Sequence, residues 1–329
     1  MDFGVEFVPE DPVGEIVEKV KVADKTGFDY VWITDHYNNR NVYIVLTRLA
    51  EETEQINLGP GVTNPYTIHP AQTASAMATI SELSDGRAVL GIGPGDKTTL
   101  DALGFEWDKP LTRTREAIEI INELLAGERV TTEDMEKYDL KGAKLNFKTD
   151  HKIPVFIGAQ GPNMLKMAGK NGEGILINAS HPKDFDYAVS EIEKGVEDAG
   201  RDMDDIEVVA YTSFSVAEDK KSAKEAAIPP VAFIAAGVPD VVLDRHGIPS
   251  EDAGKIGKAL GEGDFGTAFG SVTDEMIDAF ALYGTPEECV TKIEELAEKG
   301  VTQVVAGSPI GPDKKKSMKI ISDEIMPKF

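Results

Sequence analysis

The sequence predicts an α/β fold: a TIM-type (β/α)8 barrel, one domain over residues 1–329, with insertions at about 128–150 and 237–283. Three observations predict it. Eight short apolar runs alternate with stretches of helical periodicity, the order a barrel requires. The runs are apolar throughout rather than at every second position, as parallel strands covered on both faces must be. Neither insertion holds enough apolar residues for a core of its own, so both read as excursions from one barrel. A doubly wound open sheet is the competing arrangement.

Residues 3–8 read as the first strand, and Val13, Ile16, Val17, Val20 and Ala23 then recur at helical spacing until Gly27 stops the helix. Residues 28–34 form the second strand, followed by a helix over about 42–53. Residues 56–62 form the third, with a Gly-Pro-Gly break inside it, and Pro70 opens an Ala/Thr-rich helix to residue 83. The fourth strand, 88–93, precedes a helix carrying Ala117, Ile118, Ile121, Leu124 and Leu125. Residues 128–150 have no strong period. The fifth strand, 154–158, leads into a helix at 162–170, and the sixth, 174–178, into one at 183–199. The seventh, 206–216, is followed by a helical patch over 222–236. Residues 237–283 are rich in Gly and Pro, with a short helix near 275–282. A helix at 286–299 precedes the eighth strand, 302–306, and the tail from Asp313 is helical.

The chain carries 34 Lys+Arg against 58 Asp+Glu, a formal charge of −24. Phosphate backbones and anionic membrane surfaces repel such a chain, so nucleic acid and membrane are excluded as partners. A 41% hydrophobic content in periodic runs argues for a packed core and against disorder. The N-terminal residues lack a basic region and an apolar core, so no secretory signal is expected. The longest uncharged apolar stretch, 231–238, falls far short of the roughly 20 residues of a span, and a soluble, cytoplasmic protein is expected. The single cysteine, Cys289, excludes an intramolecular disulfide and any Cys-based metal cage, and with Glu287 and Glu288 beside it reads as an inert helical thiol. The five histidines never pair at i, i+3 or i, i+4, so no metal motif is visible.

Active sites of such barrels lie at the C-terminal strand ends. The polar residues there are Glu6, then Thr34, Asp35 and His36, then Thr63 and Asn64, Asp96, Gln160, Asn178 to Ser180, Thr212 and Ser308, one group per strand. Strand ends are polar in any case, because loops follow them. Glu6 departs from that background: it sits between Val5 and Phe7 on the face that points into the barrel. A carboxylate walled by apolar strands is expected to have a raised pKa and to suit general acid work; a buried structural Glu paired with Lys or Arg is the other reading.

Glycines mark three further stretches. Gly59-Pro60-Gly61-Val62-Thr63-Asn64-Pro65 breaks a strand, which signals a bulge or close approach to something planar, or else a barrel corner. Gly91-Ile92-Gly93-Pro94-Gly95-Asp96-Lys97 superficially looks like a phosphate loop, but Asp96 stands where both common forms need glycine. Gly158-Ala159-Gln160-Gly161-Pro162 is a better anion site, since Pro162 starts a helix whose first amides could receive a phosphate.

The order of these motifs is specific. The run 32–39 (WITDHYNN), then 59–65 (GPGVTNP), then 82–96 (ELSDGRAVLGIGPGD) resembles the bacterial-luciferase-like superfamily of flavin and deazaflavin proteins, and within it the archaeal methylenetetrahydromethanopterin reductase family. The stretches 158–162, 175–180, 231–237 and 306–314 extend the resemblance over nearly the whole chain.

The resemblance implies an oxidoreductase of methanogenesis and one-carbon metabolism. Hydride would pass reversibly between reduced coenzyme F420, an 8-hydroxy-5-deazaflavin acting as a dissociable cosubstrate, and 5,10-methylenetetrahydromethanopterin, giving the 5-methyl form without a metal. It also implies a non-proline cis peptide at Gly61-Val62, forming a bulge behind the deazaflavin ring. Thr34, Asp35, His36, Gly61, Val62, Thr63, Asn64, Gly95, Gly158, Ala159, Gln160, Gly161, Asn178, Ala179 and Ser180 would bind the cofactor. Glu6 would protonate a nitrogen of the five-membered substrate ring, opening it to an iminium that accepts hydride. Asp96 and Gln160 would position substrate or stabilise charge. The partners implied are the tetrahydromethanopterin substrate and further copies of the chain, as a dimer or tetramer. An F420-dependent alcohol or sugar-phosphate dehydrogenase with His36 as base is the alternative, and a non-enzymatic flavin-binding relative the third reading. For a methanogen enzyme the acidity reads as an adaptation of the surface to a salt-rich cytoplasm.

Overall fold

The computed structural model describes residues 1–329. Its strands are β1 (Asp2–Phe7), β2 (Tyr30–Ile33), β3 (Asn57–Pro60), β4 (Leu90–Ile92), β5 (Val130–Thr131), β6 (Lys141–Ala143), β7 (Val155–Gly158), β8 (Gly174–Ile177), β9 (Glu207–Val216), β10 (Ala281–Gly284) and β11 (Gln303–Ile310). The helices interleaved with the first of them are α1 (Val13–Lys25), α2 (Val42–Glu52), α3 (Pro70–Leu83), α4 (Lys97–Ala102), α5 (Pro110–Leu125), α6 (Pro162–Asn171) and α7 (Pro182–Asp198). After β9 come α8 (Lys220–Gly237), α9 (Asp240–His246), α10 (Ser250–Gly261), α11 (Phe265–Gly270) and α12 (Asp274–Phe280), then α13 (Pro286–Ala297) and α14 (Lys314–Ile320).

Eight strands follow one another in the order β3-β2-β1-β11-β9-β8-β7-β4. The recorded registers between neighbours are parallel, and single bridges, Leu58 with Ala88 and Thr63 with Ile92, join β3 to β4. The architecture is the expected (β/α)8 barrel, and its eight strands are the eight apolar runs. β10 was not expected: it pairs in parallel with the outer half of β9, Ala281 beside Ser213 through Gly284 beside Val216. It directly follows α12 in one unbroken apolar run, so periodicity alone merges strand and helix.

The chain divides into two compact units, one of Gly4–Ile177 with Ser190–Val208 and the other of Met1–Phe3, Asn178–Val189 and Val209–Phe329. In the first, Trp32 is fully buried, stacked on Tyr30 at 5.9 Å and edge-on to Phe156 at 5.2 Å. These aromatic rings fill the space between β2 and β7 and show which face of β2 points inward. Beneath the strands, Arg87 ties β3 to its neighbours: its guanidinium donates to the carbonyls of Ala50, Thr53, Ile56 and Ser84. Asp24 accepts the amides of Glu54, Gln55 and Ile56, which sets where β3 begins.

The second unit corrects one expectation. The 237–283 stretch carries α9 to α12, and Leu243, Ile248, Ile256, Met276 and Ile277 form a buried apolar cluster with Ala227, Val231, Ala232 and Ala235 of α8. Counting large apolar residues missed it, because alanines supply much of the cluster and let the helices approach closely. The 128–150 stretch is a small antiparallel ribbon, β5 with β6. No helix is long and apolar enough to cross a membrane.

Candidate active site at the C-terminal strand ends

In the first unit the seam between β3 and β4 shapes the site. Val89 N donates to Leu58 O at 3.1 Å below it, and Thr63 N donates to Gly91 O at 3.0 Å above it. Between these points the chain leaves the ladder, and the Gly61-Val62 peptide is cis, at the bond the resemblance implied. A Cβ on Gly59 would lie 2.1 Å from Val89 O, and one on Gly91 2.1 Å from Pro60 O. These two glycines therefore admit the neighbouring backbone, the barrel-corner reading of the motif. Gly93 and Gly158 do something different: a Cβ there would lie 2.9 and 3.4 Å from Cγ2 of Val62. Gly93, just after β4, thus leaves the recess into which Val62 turns, and Gly158 on β7 lines its other side at ordinary contact distance.

Asp35, just past β2, lies beside this recess. Its Oδ2 accepts the Thr63 hydroxyl at 2.8 Å, and Tyr43 of α2 donates to Thr63 Oγ1 at 3.4 Å. Burial pushes the Asp35 carboxyl above the usual carboxylate range, against the Thr63 hydrogen bond and the nearby His36 charge. Burial likewise pushes the Tyr43 phenol up. The sequence offered no sign of Tyr43, whose role depends on α2 packing beside Thr63. Thr34 is buried and its hydroxyl has no hydrogen-bond partner. His36 is exposed at the rim.

Asp96 is exposed and its Oδ2 accepts Thr99 N at 2.7 Å, capping α4. Burial pushes its carboxyl up, but hydrogen bonds from Thr99 and Thr98 and the His36 charge hold it below the usual range. It is therefore an anion that is already committed to a helix terminus. Gly95 adopts a φ of 74°, which a side chain resists. Asn64 accepts the amides of Tyr66 and Thr67 in a tight turn. Ala159 is buried, Gln160 is exposed, and Gly161 is the N-cap residue of α6 with no side-chain cap.

Glu6 is half-buried in β1, and Trp32 is its register partner on β2. Laterally paired residues of parallel strands point to the same face, so Glu6 shares the inward face of the Trp32 ring.

In the second unit, Ser180 Oγ donates to Phe280 O at 3.1 Å and accepts Ser213 N at 3.2 Å, so its hydroxyl holds the loop after β8. Asn178 is exposed and Ala179 half-buried. Thr212 donates to Val305 O at 2.8 Å, which uses its hydroxyl inside the sheet. Ser308 precedes a cis proline, and its carbonyl accepts Ser213 Oγ. Cys289 is buried, and burial pushes its thiol up to about 12, as an inert thiol requires. No group of three or more His, Cys, Asp and Glu side chains is placed to hold a metal ion.

A family model described as luciferase-like monooxygenase matches residues 2–303. A 5,10-methylenetetrahydromethanopterin reductase of Archaeoglobus fulgidus is 55% identical, with all of both chains covered. The chain belongs to the luciferase-like family, among its 5,10-methylenetetrahydromethanopterin reductases. A second reductase of this family, from Methanolobus tindarius, is 54% identical over 99% of this chain and all of the relative. The solved coenzyme F420 dependent tetrahydromethanopterin reductase from Methanopyrus kandleri superposes with a TM-score of 0.95 at 48% identity, covering 100% of this chain and 99% of that one.

Proposed function

We propose that the chain transfers a hydride reversibly between reduced coenzyme F420 and 5,10-methylenetetrahydromethanopterin, giving 5-methyltetrahydromethanopterin. The observation that carries this reading is identity of about half, end to end, with proteins of that name. The residues fit a planar deazaflavin: Val62, seated against Gly93 and Gly158, would offer an apolar back to the ring, and the unpartnered Thr34 hydroxyl would offer it a donor. Bound F420 supplies the hydride. Thr34, Asp35, His36, the 61–64 segment, Gly95 and the 158–161 loop would hold and orient it, with Val62 behind the ring. The uncapped start of α6 would take an anionic part of the cofactor. The assignment of Asn178, Ala179 and Ser180 is carried by resemblance alone.

Glu6 is the proton donor in this reading. From the inward face of β1 its carboxyl would protonate the ring nitrogen of the substrate, so that the ring can open to accept hydride. Asp96 and Gln160 would orient the substrate or stabilise charge at the rim. F420 would act as a dissociable cosubstrate with no metal, in a cytoplasmic dimer or tetramer built from single barrel domains.

The direct test mixes the purified chain anaerobically with reduced F420 and methylenetetrahydromethanopterin in salt-rich buffer and follows the oxidised deazaflavin absorbance. Pterin-dependent reoxidation is expected; its absence, with a positive control enzyme active in the same mixture, removes this function.

A further inference from the structure

The 128–150 excursion plays no part in the hydride transfer described above, yet it reaches the segment that follows Thr63 and Asn64. Tyr138, buried between β5 and β6, donates its hydroxyl to Pro65 O at 2.9 Å. Its loop is held in turn. Thr132 Oγ1 donates to Tyr138 O and accepts Leu140 N, while buried Glu116 of α5 accepts the amides of Glu136 and Lys137 at 2.9 and 2.8 Å. One turn earlier on α5, the Arg113 guanidinium lies 4.5 Å over the Tyr66 ring and 6.0 Å from that of Tyr138.

The same cluster reaches the loop after β4. Arg113 Nη2 donates to Asp108 Oδ1 at 3.1 Å, and Tyr66 donates its hydroxyl to Asp108 O at 2.9 Å. Beside Asp108, Trp107 Nε1 donates to Pro94 O at 2.8 Å. Two loops that flank the Val62 recess, 63–67 and 94–108, are thus stitched to each other and to the excursion. Pro65 has no amide hydrogen, so its carbonyl is the one backbone handle it offers.

We infer that Tyr138 and Arg113 are positioning residues for the deazaflavin cosubstrate: they fix the 63–65 segment and the turn at Pro94 and Gly95 in the arrangement that receives it. The inference rests on the site reading given under the proposed function. Burial pushes the Tyr138 phenol up to about 12, so the hydroxyl stays a donor throughout the working pH range.

Tyr138→Phe removes one hydroxyl and keeps the ring against His69, and Arg113→Lys keeps a charge for Asp108 but loses the planar face on Tyr66. The measurements are F420 affinity by fluorescence titration, KM for F420 and for the pterin, kcat, and the melting temperature. Each variant is expected to weaken F420 binding and raise its KM about fivefold to tenfold, the worth of about one hydrogen bond, with pterin KM and saturating kcat within about twofold. F420 affinity within about twofold of the parent in both variants overturns the inference. Equal losses for F420 and pterin together with a lowered melting temperature also overturn it, since they report a loosened fold. If one variant does not fold, the other decides. A parent chain that itself fails to bind F420 refutes the proposed function, and a parent that binds it beside unaffected variants refutes only the positioning role.

Discussion

Thr63 donates its hydroxyl to Asp35 Oδ2 at 2.8 Å, joining the ends of β2 and β3. Burial raises the Asp35 carboxyl above its ordinary 3.8, so the folded chain holds that proton more tightly than the unfolded one. The ionised group therefore costs stability, by an amount that is zero below about pH 4 and grows as pH rises through the raised value. Asp35→Asn keeps an acceptor for Thr63 and removes the charge. It is expected to melt above the parent near neutral pH and level with it in acid, in thermal scans between about pH 3 and 8. A gap that widens on acidification contradicts this account.

Asp184 presents the opposite sign. Its carboxylate meets Arg245 at 2.5 Å and His246 Nε2 at 3.0 Å, fastening α9 to α7. Burial pushes the carboxyl up, but these two partners outweigh it and hold the carboxyl below its ordinary 3.8. The stability it contributes is present above that value and is lost as pH falls through the lowered one. Asp184→Asn is expected to cost about 3–5 kcal/mol at neutral pH, leaving Arg245 half-buried without its anion, and less below about pH 4. Urea unfolding at two pH values measures both.

Gly93→Ala would bring a methyl 2.9 Å from Val62 Cγ2 and move Val62 within the recess, whereas Gly158→Ala meets the same methyl at an ordinary 3.4 Å. The expected result is about tenfold weaker F420 binding for the first and under about twofold for the second, read by fluorescence titration. Equal effects would mean that Val62 does not sit behind the ring.

If Glu6 is the proton donor proposed above, Glu6→Gln should bind F420 as the parent does and lose turnover by about a hundredfold or more, since the inward-facing amide fills the same space without an acidic proton. His36→Ala serves as the contrast. If it abolishes turnover while Glu6→Gln leaves it nearly intact, the chemistry is that of a dehydrogenase with His36 as base.

A formal charge of −24 on one chain makes self-repulsion the main electrostatic effect at low salt. Raising salt from about 0.05 to 1 M shortens the Debye length from above 10 Å to about 3 Å, and both melting temperature and oligomer mass are expected to rise over that range. Light scattering with thermal scans tests it; flat curves would detach the acidity from any salt-rich surroundings.

Strand and helix order is written in the chain because it depends on neighbours: continuous apolar runs, a 3.6-residue period, and Gly or Pro at the breaks. The strand position of Glu6 was legible for the same reason, since alternation along β1 places it on the face it shares with Trp32. Chain-wide motif likeness added the cis bond at Gly61-Val62, which no local rule supplies. β10 escaped because the apolar run 279–283 has no internal break where α12 becomes a strand.

Closure of the barrel settled the rest, by bringing together residues far apart in sequence. Gly59 and Gly91 serve the β3 and β4 backbones, while Gly93 and Gly158 serve Val62, though all four are simply strand glycines in the chain. Tyr43 reaches Thr63 only because α2 packs beside the end of β3, and Tyr138 reaches Pro65 across 73 positions. Asp96 is one rim carboxylate among several by its spacing, and becomes the cap of α4 through a backbone turn that begins at Gly95. Periodicity reports which face of an element is apolar; which partner that face or side chain meets depends on register and packing, and those exist only once the strands have closed.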